Sequence, residues 1–171
     1  MKIEVQESND EVYKFTLKDA QLGYANAVRR AAINSVKSFA IDKVTVYENT
    51  TAMFDEFIAH RIGLIPLKTP AKGTSDTDEI LFTLDVTGPK TVLSEELETK
   101  DKDVKVANEK IPIIKLGDGQ RLRLDGKAIL ASSTKHSKFQ PGLITYDQQG
   151  EKNYEFYLEQ RGVVLAVACL V

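Results

Sequence analysis

Four ionisable side chains lie close together in the middle of the chain: Asp55, Glu56, His60 and Arg61. On a helix, Glu56 and His60 would share one face because they are four residues apart. A carboxylate and an imidazole placed together could bind a metal ion or transfer protons. A protein metal site normally needs further ligands, and the other histidine, His136, is far away in the sequence. Two alternatives stay open: a metal-dependent hydrolase, or a packed helix whose charges make contacts.

The segment that carries these residues, Asn49–Leu67, is typical of a short amphipathic helix that ends abruptly. Side-chain oxygens of Asn49–Thr51 could cap its first turn, and its acids precede its bases, as the helix dipole favours. Gly63 and Pro66 predict the end of the helix. The residues that recur at helical spacing are Met53, Phe54, Phe57, Ile58 and Arg61.

A longer helix is predicted before it, from about Asp19 to Val36. Its apolar stripe is rich in small residues and includes Ala25, Val28, Ala32 and Val36. The opposite side carries polar residues, namely Asn26 and Arg30, with Arg29 beside them. The arginines could form a solvated face or contact a partner, and the spacing does not separate these alternatives.

Alternation of apolar and polar residues predicts strands on both sides of the two helices. The main predicted strands are the hairpin within residues 3–17, Ile41–Tyr47, Leu81–Val86, Ile111–Leu116, Arg121–Leu130, Gly142–Tyr146 and Asn153–Gln160. If the last strand pairs with the early hairpin, the two ends of the chain form one domain. The predicted fold is therefore α+β. Residues 1–48 and 148–171 form a discontinuous domain of a sheet and a long helix, and residues 49–147 form an inserted, mostly antiparallel β-rich domain.

The composition is that of an ordinary globular chain, with 171 residues, 42% of them hydrophobic, and a net charge of −2. This charge gives no argument for direct binding of nucleic acid. The single cysteine, Cys169, cannot form an intrachain disulfide or a cysteine-built metal site. The N-terminus lacks the apolar core of a signal peptide, and the apolar run Val163–Val171 is too short to span a bilayer. We expect a soluble, cytoplasmic protein.

A second polar cluster, Lys135–Pro141, combines basic residues with an aromatic one. Lys135, His136, Lys138 and Phe139 could form a small nucleic-acid-binding patch, in which case the chain would be a free-standing nucleic-acid-binding module. The other interpretation is a solvated loop.

Several of these stretches together resemble the D-subunit family of archaeal RNA polymerases. That family is related to the third-largest subunit of eukaryotic RNA polymerase II and to the N-terminal domain of the bacterial alpha subunit. The stretches that carry the resemblance are ANAVRR at Ala25–Arg30 with Ala40–Ile41, Asn49–Thr51 with DEFIAHRIGLIPL at Asp55–Leu67, HSKFQP at His136–Pro141, and FYLE at Phe156–Glu159. Residues 68–126 match the family only weakly.

The resemblance implies a non-catalytic assembly platform of a DNA-directed RNA polymerase, with the nucleotidyltransferase activity belonging to the whole complex. The discontinuous domain would be a dimerisation domain that pairs with the small L subunit, and the pair would dock the second-largest subunit. The residues that match the family's docking motifs are Asn26, Arg29, Arg30, Asp55, Glu56, His60 and Arg61. Residues assigned either to the core or to the dimer interface, without a decision between the two, are Val28, Ala32, Val36, Phe156 and Leu158.

The chain differs from the family pattern in two places. Many members carry an inserted ferredoxin-like domain with iron–sulfur clusters before the last strand, whereas here only Asp147–Lys152 separates the last two predicted strands. We therefore predict no iron–sulfur insert and no cofactor. The family also continues into a long C-terminal helix, and Val163–Val171 lacks its amphipathic pattern, so we expect a truncated or divergent end.

Overall fold

The computed structural model describes residues 1–9, 12–70, 75 and 78–160 of the chain. The two α-helices in this part are α1, Leu22–Asn34, and α2, Asp55–Gly63. The strands are β1 Lys2–Ser8, β2 Val12–Lys18, β3 Lys37–Asn49, β4 Glu79–Thr87, β5 Lys90–Leu93, β6 Glu98–Thr99, β7 Pro112–Leu116, β8 Arg121–Ser132, β9 Gly142–Gln148 and β10 Tyr154–Gln160. All pairings whose register is described are antiparallel. The α+β class predicted from the sequence is confirmed.

The chain divides into two compact units. Unit 1 contains, among the described residues, 1–9, 12–38, Pro70 and 132–160, and unit 2 contains 39–69, 75 and 78–131. Within these residues no helix is long and apolar enough to cross a membrane.

Unit 1 is a four-stranded sheet in the order β1-β2-β10-β9, with α1 packed against β9. The late strand pairs with the early hairpin as predicted, since Tyr154 lies opposite Leu17 and Phe156 opposite Phe15. The rings of Phe15 and Phe156 stack with centroids 4.7 Å apart, and both side chains are fully buried. Alternation along β10 therefore directs Tyr154, Phe156 and Leu158 into one core.

Helix α1 is shorter than predicted at its N-terminal end. Asp19 has a φ of 53°, in the left-handed region, which is incompatible with a right-handed helix. The backbone N–H of the next residue, Ala20, donates to the carbonyl of Lys152 at 2.9 Å instead of entering a helix. The turn after β2 is consequently tied to the end of the β9–β10 connection, and α1 begins at Leu22.

Unit 2 consists of a four-stranded sheet in the order β3-β8-β4-β6, a two-stranded sheet of β5 and β7, and α2. Strand β4 alternates strictly between exposed and buried residues and pairs with β8 from Glu79 opposite Ile129 to Thr87 opposite Arg121. Most of the buried apolar residues of this unit form one core, which includes Ile58 and Ile62 of α2.

The compact units are divided elsewhere than the predicted domains, which had boundaries at residues 48/49 and 147/148. Strand β3 belongs almost entirely to unit 2, because Phe39 and Ile41 lie in the same core as Ile58. Strand β9 belongs to unit 1, because it pairs with β10 and buries Ile144 beside Phe156. The interpretation of the units as a dimerisation domain and an insert stays a prediction.

Candidate functional site

Helix α2 begins later than the sequence predicts, and the expected cap is wrong. The residue before the helix, Phe54, has extended backbone angles and makes no side-chain cap. Asn49 instead donates from Nδ2 to Asp55 Oδ1 at 2.6 Å and to the Met53 carbonyl at 2.9 Å. Its Oδ1 accepts from the backbone N–H of Thr51 at 3.0 Å. The polar residues therefore fold the preceding loop rather than start the helix.

The apolar residues of this segment separate into two groups. Ile58 and Ile62 are fully buried and hold α2 on the core of unit 2. Phe54 and Phe57 are 71% and 61% exposed, and Met53 is 36% exposed. The expected single apolar stripe is therefore wrong for these three residues. An exposed cluster of this kind indicates an interaction surface more often than a packing defect.

Arg61, which the resemblance assigns to docking, makes contacts within its own unit. Its Nε donates to the carbonyl of Ile113 at 2.8 Å, and its Nη2 donates to the carbonyl of Pro112 at 2.6 Å. The planar guanidinium thus spans two successive carbonyls at the start of β7. This geometry ties the last turn of α2 to β7, a contact that sequence spacing could not reveal.

Glu56 and His60 are both exposed, and neither makes a hydrogen bond or an ion pair with another described residue. Within the described part of the chain, no group of three or more His, Cys, Asp or Glu side chains is arranged to hold a metal ion. The two residues therefore lie on the outer side of α2 as separate polar groups.

Helix α1 presents the arginine pair next to its core stripe. Arg29 is half-buried and Arg30 is exposed, and neither has an ion-pair or hydrogen-bond partner among the described residues. Asn26 differs from them, because its Oδ1 accepts a hydrogen bond from the hydroxyl of Tyr146 at 3.0 Å. The residues that the sequence assigned either to the core or to the dimer interface all belong to unit 1. Ala32, Val36, Phe156 and Leu158 are buried there, and Val28 is partly buried against them.

A shallow groove lies between the start of α2 and strand β7. We call it the α2–β7 groove; its lining includes Thr51, Met53, Phe54, Phe57, Ile114 and Lys115, and its cavity volume is about 490 Å³. Sequence reasoning missed this feature because it assigned the aromatic residues to a packed face. Its position on the helix could have separated Phe57, which at about 100° per residue lies about 100° around the axis from Ile58 and about 140° from Ile62, whereas Phe54 lies only about 40° from Ile58.

The cluster Lys135–Pro141 does not have the arrangement expected of a base-stacking patch. Phe139 is fully buried, so its ring is inaccessible to a nucleobase. The ammonium groups of Lys135 and Lys138 lie over this ring, 5.7 Å and 5.3 Å from its centroid. His136 accepts from the backbone N–H of Lys138 at 3.1 Å, which stabilises the turn.

The residues present do not fit the iron–sulfur clusters that many chains of the resembled family carry. Strands β9 and β10 are joined by residues 149–153 alone, and this connection contains no cysteine. The absence of a cofactor stays a prediction.

Comparison with known proteins identifies first the class of protein to which this chain belongs and then its family. Residues 41–149, more than half of the chain, match the RNA polymerase Rpb3/RpoA insert domain. The DNA-directed RNA polymerase subunit Rpo3 of Pyrococcus furiosus is 40% identical over 152 residues, covering 85% of this chain and 58% of the relative. The Rpo3 subunit of Methanocaldococcus jannaschii is 41% identical, covering 89% of this chain and 77% of the relative. The chain therefore belongs to the archaeal Rpo3 family of DNA-directed RNA polymerase subunits, which is the D-subunit family, and the resemblance is confirmed. It spans less than two thirds of the Pyrococcus relative's length.

Proposed function

We propose that this chain is a non-catalytic assembly platform of an archaeal DNA-directed RNA polymerase. It pairs with the small L subunit and docks the second-largest subunit. The proposal follows from membership of the Rpo3 family, whose relatives carry the name of polymerase subunits. The observation that carries it is the pair Arg29 and Arg30, which has no partner among the described residues.

The arginine pair is suited to hold another protein chain. Helix α1 already buries Ala25 and Ala32 in the core of unit 1, so the residues beside this stripe are available for contacts outside the unit. A guanidinium group binds carboxylates and backbone carbonyls in a fixed fork, and arginine is enriched at protein interfaces. On the proposed role, Arg29 and Arg30 make these contacts to the second-largest subunit.

The proposed role contains no chemical step within this chain. Phosphodiester bond formation belongs to the assembled polymerase, which works in the cytoplasm, and no residue here is assigned to catalysis. The exposed pair Glu56 and His60 serves as polar contact groups of α2 in this proposal. DNA is reached only through the assembled enzyme.

The first test is co-expression with the L subunit, followed by size-exclusion chromatography with light scattering. We expect a stable one-to-one heterodimer, because the platform role requires pairing before docking. A well-behaved monomer that ignores the L subunit would count against the proposal.

The second test reverses two charges, Arg29→Glu together with Arg30→Glu. We expect this variant to retain the L subunit and to lose the second-largest subunit. Both side chains would then be negatively charged where the groups of the partner require a positive charge. The matched control reverses two exposed lysines of the same unit, Lys2→Glu with Lys152→Glu, and keeps docking intact. Normal assembly of the core enzyme by the arginine variant would refute the docking assignment.

A further inference from the structure

Strand β1 is one edge of the sheet in unit 1, and in the described part of the chain only one of its two sides is paired. It pairs with β2 from Lys2 opposite Lys18 to Ser8 opposite Tyr13. Every residue of β1 is exposed. The free side of an edge strand carries backbone N–H and C=O groups with which another strand can pair. A further strand can therefore join the sheet at this edge.

The side chains of β1 on the core face of the sheet are uncovered. Ile3 lies opposite Leu17 and Val5 lies opposite Phe15, and these two residues of β2 are buried in the core of unit 1. Ile3 and Val5 are themselves 37% and 55% exposed. The apolar face of the sheet thus continues onto its edge strand. A strand that joins here would extend this face only if its own apolar residues lie on the same side.

The other face of β1 carries two opposite charges, Lys2 and Glu4, which are two residues apart and therefore point to the same side. Glu4 makes an ion pair with Lys18 at 2.7 Å. Lys2 lies directly opposite Lys18 and has no ion-pair partner among the described residues. Like charges in opposite positions of two strands are destabilising. A carboxylate on the free side of Lys2 would therefore stabilise the edge.

The sequence of β1 is complementary to itself in the antiparallel direction. When two copies of β1 pair about a two-fold axis through Ile3, Lys2 of each copy lies opposite Glu4 of the other. Ile3 then lies opposite Ile3 on the apolar face. Moving the axis by one residue in either direction would place Lys2 opposite Lys2 or Glu4 opposite Glu4. The charges therefore favour one register.

The length of the regular part of β1 agrees with this register. An axis through Ile3 pairs Met1 of one copy with Val5 of the other, so it uses the stretch from Met1 to Val5. The pairing of β1 with β2 becomes irregular between Val5 and Glu7. An irregularity of this kind bends a strand and interrupts further pairing. The regular stretch is thus symmetric about Ile3.

We propose that β1 of this chain pairs antiparallel with β1 of a second copy, with Ile3 on the two-fold axis. The pairing joins two four-stranded sheets into one of eight strands, and the homodimer is closed because each copy uses this edge once. The short contact is well below the roughly 800 Å² per partner of a standard interface, so the homodimer is weak. This self-association of the free chain does not rest on the proposed function.

The main test places a lysine on the axis, Ile3→Lys, and measures the mass of the full chain by sedimentation equilibrium up to about 1 mM. We expect a wild-type dissociation constant on the order of 0.1 mM. The variant weakens the dimer at least about 10-fold, because lysine then lies opposite lysine. The matched control is Leu143→Lys, which changes a 47% exposed apolar residue of β9, the other edge of the same sheet, and keeps wild-type dimerisation. Circular dichroism of all variants verifies an unchanged fold.

The register is tested by two single charge reversals, Lys2→Glu and Glu4→Lys. Each variant alone places like charges opposite each other twice in the dimer, so we expect roughly 3- to 10-fold weaker self-association at low salt. In an equimolar mixture, the two variants have opposite charges at both positions and form a mixed dimer with about wild-type affinity. Sedimentation with a fluorescent label on one variant detects this dimer. A mixture that associates no better than its components would contradict the register.

Three further outcomes would overturn the inference. One is a wild-type chain that stays monomeric over the whole concentration range. Another is self-association that Ile3→Lys and Leu143→Lys leave equally unchanged, because the contact would then lie elsewhere on the chain. The third is dimerisation that occurs only after residues 163–171 are removed, which would assign the edge to the C-terminal segment of the chain itself.

Discussion

Replacing Arg61 by alanine tests whether this residue is a structural clamp or a docking residue. The wild-type guanidinium donates to the carbonyls of Ile113 and Pro112 at 2.8 and 2.6 Å. Alanine removes both donors at once and leaves the carbonyls at the start of β7 to be solvated by water. We expect the last turn of α2 to open more often as a result.

The size of the effect follows from the environment of the two bonds. A hydrogen bond with a charged partner contributes about 1.5–3 kcal/mol. Here the bond to Ile113 is only partly buried and the bond to Pro112 is exposed. Water can replace much of both, so we expect a total of about 1–3 kcal/mol for the local opening of α2. Under conditions in which the exchange rate is proportional to the equilibrium constant of opening, this free energy corresponds to roughly 5- to 150-fold faster amide exchange.

The assay is native-state hydrogen exchange at the backbone amides of Ile62 and Leu64; Leu64 N–H donates to the Arg61 carbonyl at 3.2 Å, so both amides report on the last turn of α2. Arg61→Lys gives an intermediate result, because one ammonium group cannot reproduce the two-pronged geometry of the guanidinium. Arg123→Ala is the matched control in the same unit. Its guanidinium makes only a 3.9 Å ion pair with Asp85 and lies 5.6 Å from a tyrosine ring, so its loss leaves α2 exchange unchanged.

One result would refute this reasoning. If Arg61→Ala exchanges like wild type at both amides but binds the second-largest subunit weakly, Arg61 contacts the partner directly. The docking role implied by the family resemblance would then be correct, and the intramolecular bonds would be incidental.

Two further predictions concern the separate units. In unit 2, the hydroxyl of Tyr47 donates to Asp125 at 2.9 Å, and this bond raises the pKa of Tyr47. The stabilisation from this bond is complete below the ordinary tyrosine pKa of about 10 and is lost as the pH rises through the pKa of Tyr47 in the folded protein. The rise in the Tyr47 pKa is measured by comparing the phenolate absorbance of wild type and Asp125→Asn as the pH increases. Identical titrations of the two proteins would contradict the prediction. In unit 1, Phe156→Ala removes a ring stacked on Phe15 and costs about 3–5 kcal/mol. Urea unfolding of the chain alone measures this cost, and unchanged stability together with lost pairing to the L subunit would instead assign Phe156 to the dimer interface.

The sequence predicts the strands well because a half-buried strand must alternate. In β10, alternation predicts that Tyr154, Phe156 and Leu158 share one face, without deciding for Phe156 and Leu158 between core and dimer interface, and all three are buried within unit 1. The division between the units could not be predicted in the same way. Strand β3 continues from Lys37 to Asn49, and no turn residue or change of composition marks the division after Ser38.

The start of α2 differs from the sequence prediction for another physical reason. Asn49 and Thr51 can cap a helix, but their oxygens and amides bond equally well within a short loop, and here they do so. Ile58 and Ile62 are fully buried in the core of unit 2, and this tertiary contact, which also constrains α2, is not visible in the residues of the loop.

For the proposed docking residues, sequence and structure contribute different information: the sequence supplies a family motif, and the structure supplies the exposure and contacts of each side chain. The family resemblance implies a docking role for Arg29, Arg30 and Glu56, which stays a prediction, but a motif does not rank its members by energy. Exposed ion pairs contribute about 0–1 kcal/mol each, whereas full burial of one aromatic side chain contributes about 1.5–3 kcal/mol. Phe54 and Phe57 lie outside this charged set, and because they are largely exposed, covering either ring would contribute more free energy than a typical exposed ion pair. On the proposed function, the charges of the arginines and Glu56 act mainly on which partner is accepted and in which orientation.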